Sequence, residues 1–376
     1  PSDADRMGGS PPDRHSLAAM TGMATEARDP LPGDLGLVAA RVEGRVTRLL
    51  DEETERWGAV DPELLHPLDA LRALVMAGGK RLRPVFCHWG FVAAGGDPED
   101  PRIVDAGAAF ELLQAFALIH DDVMDGSAMR RGAPAVHRRF GDRHTAEAWA
   151  GESRRFGEGV AILVGDVALV YADLVLPPGS PELLALWHEL RVELNIGQYL
   201  DLSGTATGGV DRVGARRIAR YKSGRYTIER PLQMGALLGD RPDLARDLSR
   251  YGDPLGEAFQ LRDDVLGVFG LEARTGKPVG DDLREGKPTL LLAVARERAD
   301  DAQRALLARV GDPDLDDQAV ADLQALFVST GALDVAEAEI AALASSAVAA
   351  LPTMPLPPHA DLALRDLAAF VVARDA

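Results

Sequence analysis

One cysteine, Cys87, stands in a chain of 376 residues. No intrachain disulfide framework is possible, which fits a reducing compartment, so a cytoplasmic location is expected. Cys87 lacks the partners a catalytic thiol needs and reads as a small core residue. Positive charge is also scarce: 41 Lys and Arg against 59 Asp and Glu give a formal net charge of −18. A chain this acidic is ill-suited to wrap nucleic acid or to adhere to an anionic membrane, so neither is expected as a partner. Any basic cluster within it therefore calls for a purpose. Uninterrupted apolar runs stay short of the ~20 residues of a membrane span. The nearest, Ile340 to Leu351, is broken by Ser345 and Ser346, and no basic-then-apolar signal segment opens the chain. Alternating β-branched runs with Asn-Gly or Asp-Gly turns are missing too. So is a P-loop: around Lys80 and Lys277 its outer positions hold Leu74 and Arg81, and Leu271 and Pro278. No strand leads into a G-x-G-x-x-G, so kinase and dehydrogenase readings lose their main support.

What is present is helical periodicity. Residues 1–36 mix Pro, Gly, Asp, Arg and Ser without a period and read as a disordered leader. From Leu37 apolar residues recur every three or four positions, through Val42, Val46 and Leu50 and again in one segment after another up to Ala350. Gly95–Pro98, Pro177–Pro181 and Gly311–Pro313 punctuate the pattern as loops, with Ser180 and Pro181 suited to open a helix. The expectation is one all-α domain over 37–376.

Two acidic clusters carry the chemistry. Asp121-Asp122-Val123-Met124-Asp125 ends the apolar run Phe110 to Ile119. On a helix Asp121 and Asp125 are i and i+4 and share a face. Carboxylates so placed repel one another unless a divalent cation sits between them. An acidic solvated turn would explain one such cluster. It does not explain a second, Gln260-Leu261-Arg262-Asp263-Asp264, again at the end of an apolar run. Oxygen donors without neighbouring His or Cys pairs favour magnesium, which takes one or two carboxylates and completes its shell with substrate phosphates and water. A phosphorylated substrate held between two helices follows. Cations to meet it occur in Gly78-Gly79-Lys80-Arg81-Leu82-Arg83-Pro84, in Arg130-Arg131-Gly132, and at Lys222, Arg225, Lys277, Arg284 and Lys287, in settings that read as loops or helix ends.

With these motifs in order, joined by Gly165-Asp166, Gly197-Gln198-x-x-Asp201-Leu202, Lys222-Ser223 with Tyr226-Thr227, Phe259-Gln260 and Asp282 through Lys287, the sequence resembles the trans-isoprenyl diphosphate synthases, or polyprenyl synthetases. The resemblance spans nearly everything from residue 37 on. It implies a single helical bundle around a deep cavity, usually a homodimer. Asp121 and Asp125 would bind magnesium ions that grip an allylic diphosphate, with Asp122 in support, and Asp263 would bind a further ion from the opposite wall beside Asp264, three ions in all. Lys80, Arg83, Gln114 and Arg131 would hold isopentenyl diphosphate without metal. Arg130, Lys222, Lys277 and Lys287 would contact the allylic diphosphate, with Ser223 in place of the usual Thr. Gln260 and the Lys222 region would stabilise the developing cation. His120, His137 and Tyr226 read as structural.

One departure from the family pattern is Gly267, where a third acid commonly stands four positions after Asp263; Asp282 is expected near enough to compensate. Product length in this family follows cavity depth beside the first aspartate helix. Phe116 and Ala117, one turn before Asp121, are the expected floor, and bulky Phe116 next to small Ala117 favours geranylgeranyl diphosphate over farnesyl diphosphate or a twenty-five-carbon product. Two rivals use the same architecture: a class I terpene cyclase, which leaves Lys80 and Arg83 without a role, and a non-catalytic subunit, which has no need of intact Asp121 and Arg130-Arg131.

Overall fold

The computed structural model describes residues 35–270 and 279–373. The apolar period folds as α1 (Leu35–Gly58), with Val38, Val42, Val46, Leu49 and Leu50 on its buried face. This helix starts two residues before the expected start of the domain at residue 37, because Leu35 is itself buried in the core. Residues 1–34 and Lys277 lie outside the described residues. Next come α2 (Leu65–Met76) and α3 (Leu82–Ala93).

The central helix, α4 (Pro101–Asp125), is capped by the Asp100 carboxylate, which accepts from the Arg102 N–H, and carries Pro101 in its first turn. Apolar residues surround it from Ile103 to Ile119, so it is buried on nearly every side. It packs along α6 (Ser153–Val175), with α5 (Val136–Ala146) across the other face of α6. In α7 (Pro181–Thr207) Ser180 caps the start, accepting from the Leu183 N–H at 3.2 Å, as its sequence suggests.

The next stretch departs from the sequence reading. Lys222 and Arg225 sit in neither a loop nor a helix end. They lie inside a ten-residue π-helical segment, Arg220–Glu229, continuous with α8 (Arg212–Ala219) and α9 (Arg230–Leu238). The widened turns lie backbone to backbone against their neighbours: a Cβ at Gly256 would collide with the Gly224 carbonyl, and one at Gly197 with the Lys222 amide. Behind them runs α10 (Pro242–Phe269), followed by α11 (Asp281–Glu285), α12 (Leu290–Arg298), α13 (Asp301–Leu307), α14 (Asp317–Ser329), α15 (Ala332–Ala350) and α16 (Pro358–Val372).

The fold is all-α, as expected; among the described residues the one strand pairing is Met129–Arg130 with Ala133–Pro134. Its two-residue turn, Arg131 (φ 52°) and Gly132 (φ 76°), is left-handed at both positions. That is the twist a tight hairpin needs, obtained here without Asn-Gly. Two cores meet on α10: Tyr251, Leu255 and Phe259 join the large cluster around α4, and Leu261, Val265 and Val268 join Leu291, Leu323 and Phe327. Cys87 is fully buried, and burial pushes its thiol far up, which keeps it inert. Among the described residues two helices could cross a membrane by length and composition, Pro101–Asp125 and Ala332–Thr353, contrary to the reading from uninterrupted runs, because scattered polar residues do not outweigh their Ala and Leu content. The first is mostly buried inside the bundle.

Candidate active site

The end of α4 and the last turns of α10 face each other across one cavity of about 540 Å³. Asp121 lines it from α4, and Gln260, Asp263 and Asp264 line it from α10. Asp121 is the hub of the near wall. Lys222 Nζ lies 3.2 Å from its Oδ1, Gln198 Nε2 donates to the same oxygen at 3.0 Å, and Arg130 Nη2 donates to Oδ2 at 3.3 Å. Asp122 points away and is buried; it accepts from Arg130 Nε at 2.8 Å and also from Nη2. It therefore supports Arg130 and does not face the cavity. Asp125 lies one turn on, 4.0 Å from Lys287 Nζ, and its buried Oδ2 has no hydrogen-bond partner. Lys287 also reaches Asp282 at 3.0 Å and Glu285 at 2.6 Å.

The charges on this wall are unequal. Burial works to raise Asp121, but Lys222, Lys287 and Arg130 outweigh it and hold the carboxyl well below the usual range. Asp125 goes the other way: burial, then the Asp121 charge, push it up to about 7. Burial likewise pushes Asp264 up to about 7, with Asp282 and Asp263 adding to the shift and the 2.8 Å bond from Gln260 opposing it. A carboxyl raised in the folded state favours folding while it is protonated, and that contribution is lost as pH rises through the folded value. The metal-free protein should thus lose stability between about pH 4 and pH 7 from these two groups. A divalent cation displaces their protons, so magnesium should raise the melting temperature more at pH 8 than at pH 6. Equal magnesium shifts at both pH values in thermal denaturation would contradict this.

A second cation set lies across the cavity, and its carboxylates are already engaged. Lys80, Arg83, Gln114 and Arg131 line it. Arg83 rests 4.3 Å above the Tyr226 ring and donates to Thr227 Oγ1 at 2.8 Å, while its buried Nε has no protein partner. The cavity thus has two cationic ends: at this one the lining carboxylate, Glu111, is held by Arg81, whereas the Lys222–Lys287 end is laced with several.

The Polyprenyl synthetase family model matches residues 66–327. The chain belongs to the polyprenyl synthetase family. It is 35% identical over 302 residues to a short chain isoprenyl diphosphate synthase of Methanothermobacter thermautotrophicus, covering 78% of this chain and 86% of that one. A nonaprenyl diphosphate synthase of Mycobacterium tuberculosis is 31% identical over 86% of this chain and 91% of its own. The crystal structure of geranylgeranyl pyrophosphate synthase from Corynebacterium glutamicum, complexed with isoprenyl diphosphate and magnesium, superposes with a TM-score of 0.86 at 37% identity, over 91% of this chain and 99% of that one. Membership makes the protein a trans-prenyltransferase of isoprenoid biosynthesis.

In this polyprenyl synthetase the donor set fits magnesium. Among the described residues no three His, Cys, Asp or Glu side chains form a ready-made cage. Magnesium expects as much, since it relies on a few carboxylates and the substrate's own phosphates; Asp125 Oδ2 accepts no hydrogen bond, though Asp125 stands one turn beyond the residues that line the cavity. Gly267 also finds an explanation. A Cβ there would collide with Asp282 Oδ2, so Asp282 occupies the space of the acid missing from the second motif. Ser223 lines the cavity as expected. Ala117 and Leu118 form the apolar wall beside Asp121. Phe116 is not among the lining residues; its ring lies 4.7 Å from His120 on another face of the helix, because one residue turns a helix by ~100°.

Arg225 and Arg284 do not join the cationic rim. Arg225 is tied to Glu193 and Glu229, and Arg284 donates to the Leu315 and Val279 carbonyls. Gln198 and Asp201 were motif residues without an assigned role; Gln198 holds Asp121 and Asp201 accepts from Lys222. Their i, i+3 spacing on an otherwise apolar stripe of α7 was the available signal. Glu285, inside the Asp282–Lys287 motif but likewise without an assigned role, accepts from Ser127 at 3.1 Å across the α4 terminus.

Proposed function

We propose that the enzyme condenses isopentenyl diphosphate with an allylic diphosphate to give geranylgeranyl diphosphate, using three magnesium ions and acting as a homodimer. The observation that carries the substrate assignment is the division of one cavity into a carboxylate-laced cationic end and an end whose cations face it without free carboxylates. The first suits a diphosphate carried with metal, and the second suits one bound alone. Asp121, Asp125 and Asp263 would hold the magnesium, which supplies charge stabilisation for the departing pyrophosphate. Lys222, Lys287 and Arg130, with Lys277 expected beside them, grip the allylic diphosphate, and Lys80, Arg83, Gln114 and Arg131 hold the isopentenyl diphosphate against it. As the allylic C–O bond breaks, the amide of Gln260 and the Ser223 hydroxyl offer dipoles to the developing cation, and the Ala117–Leu118 wall keeps water away. The proton lost on C–C bond formation leaves with the released pyrophosphate, so no protein nucleophile is needed.

Relatives of similar identity are named for products of different length, so the twenty-carbon product rests on the wall at Ala117 and the bulk of Phe116 next to it in sequence. Dimerisation is supported by an exposed apolar face with helical spacing: Leu163, Val170 and Leu174 on α6 and Val192, Ile196 and Tyr199 on α7, each at least half exposed. A second copy is the occupant proposed for it. Val170→Lys with Tyr199→Glu should convert a dimer to monomer in sedimentation; a monomeric wild type would end the proposal.

The decisive assay combines the protein with magnesium, labelled isopentenyl diphosphate and five-, ten- or fifteen-carbon allylic diphosphates. A twenty-carbon product carries the full reading. A fifteen- or twenty-five-carbon product keeps the reaction and moves the floor. Cyclised hydrocarbon from an allylic diphosphate alone would mean a terpene cyclase, and no consumption of isopentenyl diphosphate would favour a non-catalytic subunit.

A further inference from the structure

Arg81 sits between Lys80 and Arg83, yet its side chain is only 1% exposed. All three guanidinium nitrogens are spent on protein. Nε donates to Glu43 Oε1 at 3.0 Å on α1, Nη1 to buried Glu111 on α4, and Nη2 to the Val75 carbonyl at the end of α2. One side chain thus ties three helices to the residue that opens α3. Its backbone lies in the left-handed region, at φ 48°, directly after a segment with Gly78 at φ 91° and Gly79 at φ 145°. A non-glycine residue held there is strained and persists only where its surroundings over-determine it. The three bonds of Arg81 supply that constraint. From the other side Arg131 Nη1 donates to the Leu74 carbonyl at 3.0 Å, and its guanidinium closes over Gly79, where a Cβ would come within 3.2 Å of Nη2.

We propose that Arg81, with Glu111, is a positioning residue: the buried pair fixes the backbone from which Lys80 and Arg83 enter the cavity, so that the metal-free diphosphate end is formed before substrate arrives. The proposal rests on the reading of that end as the isopentenyl diphosphate site. Arg81 itself does not hold the diphosphate, because its nitrogens are engaged and Glu111 offsets its charge. The contribution is geometric.

The test removes the pair without opening a hole. Replacing a buried ion pair by apolar residues of similar volume is often neutral or stabilising, so Arg81→Met combined with Glu111→Leu should fold with a near-wild-type melting temperature. Displaced by an ångström, a binding constellation can lose about 100-fold. The double variant should therefore raise KM for isopentenyl diphosphate by about 10- to 100-fold while kcat and the allylic KM stay within about threefold. Arg81→Lys keeps the charge but cannot span three partners; it should give the same split in weaker form. Equal rises in both KM values, a fall in kcat alone, or no change in either variant would overturn the proposal. Magnesium-free calorimetry with isopentenyl diphosphate on the same proteins separates the two claims. Weaker binding by the variants than by a wild type that binds but does not turn over supports the positioning role and overturns the reaction; a wild type that does not bind overturns both.

Discussion

Asp121→Ala should lower turnover by at least about a thousandfold while far-UV circular dichroism stays that of the wild type; losing one preorganised electrostatic group costs ~10²–10³, and a metal ligand is worth several kcal/mol more. The size follows from how many groups meet at this one side chain. Lys222, Gln198 and Arg130 all bond its carboxylate, so its removal deprives the allylic end of a ligand and lets three neighbours drift. The fold should survive, since Lys222 keeps Asp201 and Arg130 keeps Asp122. Asp263→Ala should behave alike from the opposite wall. Asp122→Ala should differ: it leaves Arg130 without its buried anchor and should cost stability as well as rate. Near-normal turnover by Asp121→Ala, measured by product formation at saturating magnesium, would remove the metal assignment.

Product length should move in opposite directions at two adjacent positions. Ala117 lines the cavity one turn before Asp121. In Ala117→Phe a ring fills the channel, and the product should shorten by at least one isoprene unit. Phe116, one position earlier, is buried off the lining with its ring against His120. In Phe116→Ala the space its ring fills opens, and products longer than those of the wild type should appear. Chromatography of dephosphorylated products reads both. An unchanged distribution in both variants would place the floor on another helix.

The positions that could be read from sequence share a property: their chemistry is conveyed by local spacing. Asp121 and Asp125 at i and i+4, Asp263 and Asp264 after an apolar run, and the glycine-rich turn before Arg83 all describe themselves within a few residues. Ser180 announces its helix in the same way. What stayed hidden depends on contacts between distant segments. Lys-Ser-Gly-Arg at 222–225 reads as a loop because nothing local shows that Gly197 and Gly256 let neighbouring backbones press it into a π-helix. The hairpin at Arg131-Gly132 lacks the usual turn residues. The fates of Arg225 and Arg284 are set by acids and carbonyls on other helices; the compensation of Gly267 by Asp282, by contrast, is expected from the sequence, and Asp282 occupies the space that Gly267 leaves.

The pairing of Lys222 with Asp121 and Asp201, and of Lys287 with Asp282 and Glu285, has one more consequence. In the resting protein these ammonium groups neutralise the carboxylates that a cation would need, and the carboxylates neutralise the lysines that a phosphate would need. At these residues a ligand that arrives alone meets charges that already have partners. When both arrive, each frees the other's partner, so their affinities are thermodynamically linked and each strengthens the other by the same factor. On the proposed reaction the same exchange would run backwards at the end of a cycle: as pyrophosphate departed, the lysines would return to their own carboxylates, and the site would discharge its product by swapping partners instead of waiting for bare charges to separate.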